Sequence, residues 1–217
     1  MASNAQHHNR RSIRLKGYDY SKAGLYFITI CTQNREYFFG EIVGATVGAT
    51  LVVARMKLND AGKMIETEWL KLSARFTNIK LHEYVVMPNH FHGIIQIVGK
   101  TVGATIVFAP DNTPRNPHVG APLVGAQNND ERARVAPTNA PTAPTDKTIG
   151  DIMDAYKSIT TVEYIGGVKN WEWQRFNGKL WQRDYYEHII RNQQSYQTIS
   201  EYIINNPAKW KDDKFFG

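Results

Sequence analysis

The chain has 217 residues, 42% hydrophobic and 12% aromatic, enough for one globular domain with a buried core and too apolar for a disordered chain. Its 26 Lys and Arg against 20 Asp and Glu leave a net charge of +6, which favours a polyanionic partner. Cys31 is the single cysteine, which excludes an internal disulfide and a cysteine-built zinc site, and no run reaches the roughly 18 apolar residues of a membrane helix; the expectation is a cytoplasmic protein with no membrane or disulfide partner.

Residues 1–24 read as a basic arm. Arg10, Arg11, Arg14, Lys16 and Lys22 are opposed only by Asp19. Such a segment is a solvated tail or an arm laid on phosphates, with Tyr18 and Tyr20 available to stack on bases. Leu25–Thr32, rich in β-branched and aromatic residues, predicts a strand buried on both faces at the centre of a sheet. Tyr37-Phe38-Phe39, after an Asn34-Arg35-Glu36 turn, predicts a short strand or a strand end. The Val-Gly-Ala-Thr echoes between Val43 and Arg55 are far shorter than a solenoid repeat and read as low-complexity loop.

From Asn59 to Phe76, Ile65, Trp69, Leu72 and Phe76 recur at helical spacing behind an Asn59 or Asp60 cap, predicting an amphipathic helix. In Leu81–Val98, two apolar runs flank Pro88-Asn89, the signature of two adjacent strands. The second run opens with His90-Phe91-His92. Alternation puts both imidazoles on one face, close enough to share an ion, and turns Phe91 into the layer beneath. A pair of partly buried histidines satisfied by backbone groups is the plainer reading of so short a motif.

Residues 99–146 hold seven of the nine prolines and one aromatic, Phe108, with acids and bases in equal number, which predicts a disordered insertion. Thr148-x-x-Asp151 is a capping-box-like start, and Ile149, Ile152, Tyr156 and Ile159 form the stripe of a second helix. Lys157 and Ser158 lie off that stripe, as solvated residues or as phosphate contacts. Trp171, Trp173, Phe176 and Trp181 lead through a Gly178-Lys179 turn to a strand or loop over 180–190. Ser195–Asn206 predicts the last helix, stopped by Pro207. On it Tyr202 and Asn206, four apart, share a face and could bring a phenol and an amide oxygen to the histidines, although a surface tyrosine and a helix-end Asn is the plainer reading of the pair alone.

In order, VVMPNHFHGII, WQRDYYEHIIRN and EYIINNPAKW, with RLKGYDYSKAGLYFITICTQNR before them, resemble the REP-associated tyrosine transposases, single-tyrosine members of the HUH endonuclease superfamily. The resemblance implies an α+β, ferredoxin-like HUH fold, a mostly antiparallel sheet with helices mainly on one face, formed by 25–98 and 147–210 as one domain with 211–217 as a tail. It implies His90, His92 and Asn206 as ligands of a divalent metal, Mg²⁺ or Mn²⁺, and Tyr202 as the nucleophile that leaves a 5′-phosphotyrosine bond. Tyr185 and Tyr186 do not match the reactive position. The implied substrate is single-stranded or hairpin DNA, with Arg11, Arg14, Lys16, Tyr18, Lys157 and Ser158 as candidate DNA contacts and a monomer or homodimer as the assembly. A catalytically silent binder of DNA hairpins and a histidine-ligated hydrolase unrelated to DNA are the rival readings.

Overall fold

The computed structural model describes residues 19–44, 46–47, 50–51, 54–98 and 147–216, and of residues 45–53 no side chain. The first expected strand forms as β1, Gly24–Cys31, its middle six residues buried. The chain then makes a hairpin arm in which β2, Gly40–Val43, pairs antiparallel with β5, Arg55–Leu58, and between them β3, Thr46–Val47, pairs with β4, Thr50–Leu51. Two expectations are corrected by this arm. The echo segment read as loop carries two short paired strands, Thr46–Val47 and Thr50–Leu51, while Gly44 and Ala54 are not strand. Tyr37-Phe38-Phe39 is not strand, because the amides of Phe38 and Phe39 both donate to the Pro88 carbonyl while their rings fill the core.

Helix α1, Asp60–Leu70, starts where Asn59 accepts the Gly62 amide, a cap worth about 1 kcal/mol, and α2, Leu72–Arg75, adds one turn. Strands β6, Ile79–Met87, and β7, His90–Ile97, form a tight hairpin across Pro88-Asn89. The 22-residue α3, Ile149–Asn170, begins with the expected capping box between Thr148 and Asp151. Strand β8, Tyr186–Ile190, precedes α4, Gln193–Asn205. The last helix begins earlier than expected, with Asn192 capping the Ser195 amide. Pro207 does not stop the chain's winding: Asn206 stays in the α region and Pro207–Asp212 continues as a 3₁₀ turn.

The sheet order is β6-β7-β1-β8, every neighbour antiparallel. With the hairpin arm set aside, the order is βαββαβ, the ferredoxin-like arrangement of an α+β domain. Alternation divides the sheet into two faces. Tyr26, Ile28, Ile30, Phe91 and Ile95 turn toward α1 and α3, joining Ile65, Trp69, Ile152 and Tyr156 in the main core, where the Tyr156 hydroxyl donates to the Ile65 carbonyl at 2.9 Å. Leu25, Phe27, Ile94 and Ile190 turn the other way and meet only α4, through Ile203, Ile199 and Tyr196. Thus α1, α2 and α3 cover one face among the described residues, and α4 crosses the other. Among the described residues no helix is long and apolar enough to cross a membrane. Residues 1–18 of the basic arm and the 99–146 insertion lie outside the described residues.

Candidate active site

His90 and His92 project from β7 onto the thinly covered face, both fully buried, their ring centroids 4.5 Å apart. Phe91 between them points into the main core against Trp69, as the alternation requires. β1 supplies the support. Thr29 stands opposite His92 in register, and its Oγ1 lies 2.7 Å from His92 Nδ1. The turn residue Asn89, also buried, meets His90 Nδ1 through Oδ1 at 2.9 Å. Both rings are therefore held at Nδ1 and aim Nε2 into the space under α4.

Into that space α4 lowers Tyr202 and Asn206. The Tyr202 hydroxyl is 3.2 Å from His92 Nε2, and its ring meets Phe27 edge-on. Asn206 is buried and its Nδ2 donates to Asp213 Oδ2 at 2.8 Å, while its Oδ1 has no hydrogen-bond partner. His90 Nε2 is likewise without one. Residues 211–217 are expected as a tail. In the structure the 3₁₀ turn folds this segment back, Asp213 Oδ2 also accepts the Tyr202 hydroxyl at 3.1 Å, and Phe215 lies 4.7 Å from the His90 ring.

Burial, opposed by the Asp213 carboxylate and the Asn206 amide, pushes His90 down to about 4. Burial and then the neighbouring His90 hold His92 well below the usual imidazole range. Both rings are neutral near pH 7, the form that ligates metals. Burial first and the Asp213 carboxylate second push the Tyr202 phenol up.

His90, His92 and Asp213 each present one ligand atom, all within 4.8 Å of one another, close enough to hold a metal ion. The donors suit a divalent cation. Two neutral imidazoles, a carboxylate and an unpartnered buried amide oxygen are hard and borderline donors, compatible with Mn²⁺, and two of those atoms otherwise lack any partner.

The structure brings His90, His92, Tyr202 and Asn206 together here. Of the candidate DNA contacts, Arg11, Arg14, Lys16 and Tyr18 lie outside the described residues, while Lys157 and Ser158 ride on α3, packed on the opposite face. The Lys157 ammonium donates to the carbonyls of Gln182 and Arg183, 2.7 Å each, so it anchors the approach to β8. Sequence reasoning missed Thr29, Asn89, Asp213 and Phe215. Thr29 was findable by pairing the two strands in register; nothing periodic marks Asp213.

No family model matches the chain. It is 36% identical over 216 residues to an uncharacterized protein of Haemophilus influenzae, covering 98% of this chain and 96% of that one. A solved structure described as a REP-associated tyrosine transposase bound to a REP hairpin aligns with TM-score 0.49 and 16% identity, over 94% of this chain and 77% of the other. A likeness that slight carries neither fold nor activity across.

Proposed function

The chain belongs to one family with the uncharacterized Haemophilus influenzae protein, and we propose that it is a metal-dependent single-strand DNA endonuclease of transposase type, cutting and rejoining hairpin or palindromic DNA through a phosphotyrosine. The observation that carries this reading is the Tyr202 hydroxyl, 3.2 Å from His92 Nε2 on a helix that also brings the unpartnered Asn206 amide oxygen. It stands beside the ordered sequence blocks that resemble the HUH tyrosine transposases.

His90, His92 and Asn206 would hold the cation, with the Asp213 carboxylate contending for the same position. When bound, a divalent cation supplies Lewis-acid polarisation of a non-bridging phosphate oxygen. Mg²⁺ or Mn²⁺ is the expected ion. The residues do the rest. Tyr202 Oη attacks phosphorus in line, a Tyr–O–P bond forms and the bond from phosphorus to the 3′ oxygen breaks, leaving a 3′-OH once that oxygen takes a proton from water. The phenol must lose its own proton as it attacks, and Asp213 Oδ2, already 3.1 Å away, is the nearest carboxylate to receive it. Reversal of the same steps reseals the strand.

Denaturing gel electrophoresis with 3′-labelled hairpin DNA and Mn²⁺ tests this. A covalent protein–DNA band is expected from wild type and not from Tyr202→Phe or His90→Ala. One observation favours a second reading, a silent hairpin binder: the phenol is tied to Asp213 and hard to ionise. Hairpin binding by wild type with no covalent band, and unchanged affinity in Tyr202→Phe, would decide for the binder.

A further inference from the structure

Among the described residues, the sheet face beside the tyrosine helix stays open at Tyr186 and His188 of β8. Ile190 is buried against α4, but Tyr186 and His188, which alternate with it on the same face, are exposed. Tyr186 is 37% exposed, and its ring meets Phe27 edge-on at 6.2 Å, the same distance at which Phe27 meets Tyr202. The Tyr186 ring is thus two ring contacts from the candidate nucleophile. A cavity of about 380 Å³ opens at the β8 edge, walled by Tyr186, His188 and Arg191 and, from the main-core side of the strand, by Tyr20, Glu187 and Ile189. Cations flank it. Arg191 is exposed at the end of β8, and the Lys214 ammonium lies 5.5 Å from the Tyr186 centroid. At the α4 N-terminus the Asn192 side chain already accepts the Ser195 amide.

The geometry points to this cavity as a subsite for an unpaired nucleotide of the strand whose phosphodiester lies at Tyr202, its base on the Tyr186 ring and its phosphate toward Arg191. The inference rests on the DNA reading above and adds which surface the strand follows away from the cut. Aromatic rings take any base by its π-face, but only an unstacked one, so the subsite selects single strand over duplex. A cation at the backbone adds affinity that salt weakens.

Fluorescence anisotropy with fluorescein-labelled oligothymidylate and a matched duplex, in the Tyr202→Phe protein without metal, keeps chemistry out of the measurement. Tyr186→Ala and Arg191→Ala should each weaken single-strand binding about tenfold, Tyr186→Phe should stay within about twofold, and Arg191→Ala should lower the salt slope by about 0.7. Duplex affinity should not follow the Tyr186→Ala loss. Unchanged single-strand affinity in Tyr186→Ala, equal loss in Tyr186→Phe, or a parallel fall for duplex would overturn the subsite, as would no binding by the parent. If Tyr186→Ala does not fold, the exposed Arg191→Ala decides. The nuclease reading fails separately: wild type then forms no covalent band while the single-strand pattern persists.

Discussion

The Asn89 side chain decides which nitrogen of His90 faces the cluster. Its Nδ2 donates to the carbonyls of Arg35 and Phe215, at 3.2 and 2.9 Å, so Oδ1 must be the atom turned to His90 Nδ1. An amide oxygen can only accept, so Nδ1 carries the proton and Nε2 keeps its lone pair bare. A turn residue thereby sets the ring as a ligand.

Replacing Asn89 with Leu keeps the bulk and removes the acceptor. Mn²⁺ affinity, read by isothermal titration calorimetry, should fall about 10- to 100-fold, the usual cost of losing a group that orients a metal-bound histidine. Affinity equal to wild type would mean that His90 is not a ligand.

The same burial makes the fold sensitive to acid. His90 is held at about 4 against an ordinary 6.5, so between those values the unfolded chain binds a proton that the folded one refuses. The stabilisation is fully present above about 6.5 and is lost as pH falls toward 4, by about 3 kcal/mol for this one ring, with His92 shifted the same way. Urea unfolding from pH 7.5 down to 4.5 should show that loss, and His90→Asn should reduce it while the His92 part remains. A pH-independent midpoint would contradict the buried neutral state.

What the sequence discloses depends on whether a residue's place follows from period or from a long-range closure. Trp69 and Tyr156 declare their helices by spacing, Thr148 and Asp151 declare a helix start, and alternation alone puts His90 and His92 on one face with Phe91 beneath. Tyr202 and Asn206 follow from a four-residue step. Asp213 does not, because its position depends on a 3₁₀ turn after Pro207 that returns the chain over the sheet, and no apolar period runs through that segment. Asn89 reads as punctuation in a turn, and only burial makes its side chain count. The aromatic run at Tyr37–Phe39 mimics a strand because strand and core favour the same residues, whereas the backbone there bonds to a turn carbonyl.

Gly93 links core packing to the histidine strand. A Cβ at this position would lie 2.5 Å from Trp69 Cζ2 and 2.9 Å from Phe91 Cε1, both in rings fixed by the main core. Gly93→Ala should therefore destabilise by about 1–3 kcal/mol, since overpacking displaces rings that have nowhere to go. Differential scanning calorimetry should register a drop of about 2–4 °C for each kcal/mol. An unchanged midpoint would show that the Trp69 layer yields.

The oxygen ligand is the remaining choice within the cluster, and hydrogen bonding separates the two candidates. Asp213 Oδ2 already accepts from Tyr202 and Asn206, and Oδ1 accepts the Phe215 amide at 2.7 Å, so its carboxylate is occupied. Asn206 Oδ1 is buried with nothing to accept from, which normally costs about 1–3 kcal/mol and is relieved by a cation. Asn206→Leu should then lower Mn²⁺ affinity at least tenfold, whereas Asp213→Asn, which keeps an acceptor beside Tyr202 and removes only the charge, should lower it less. The reverse order in titration calorimetry would make Asp213 the ligand. Asn206 would then serve as the donor that steers its carboxylate.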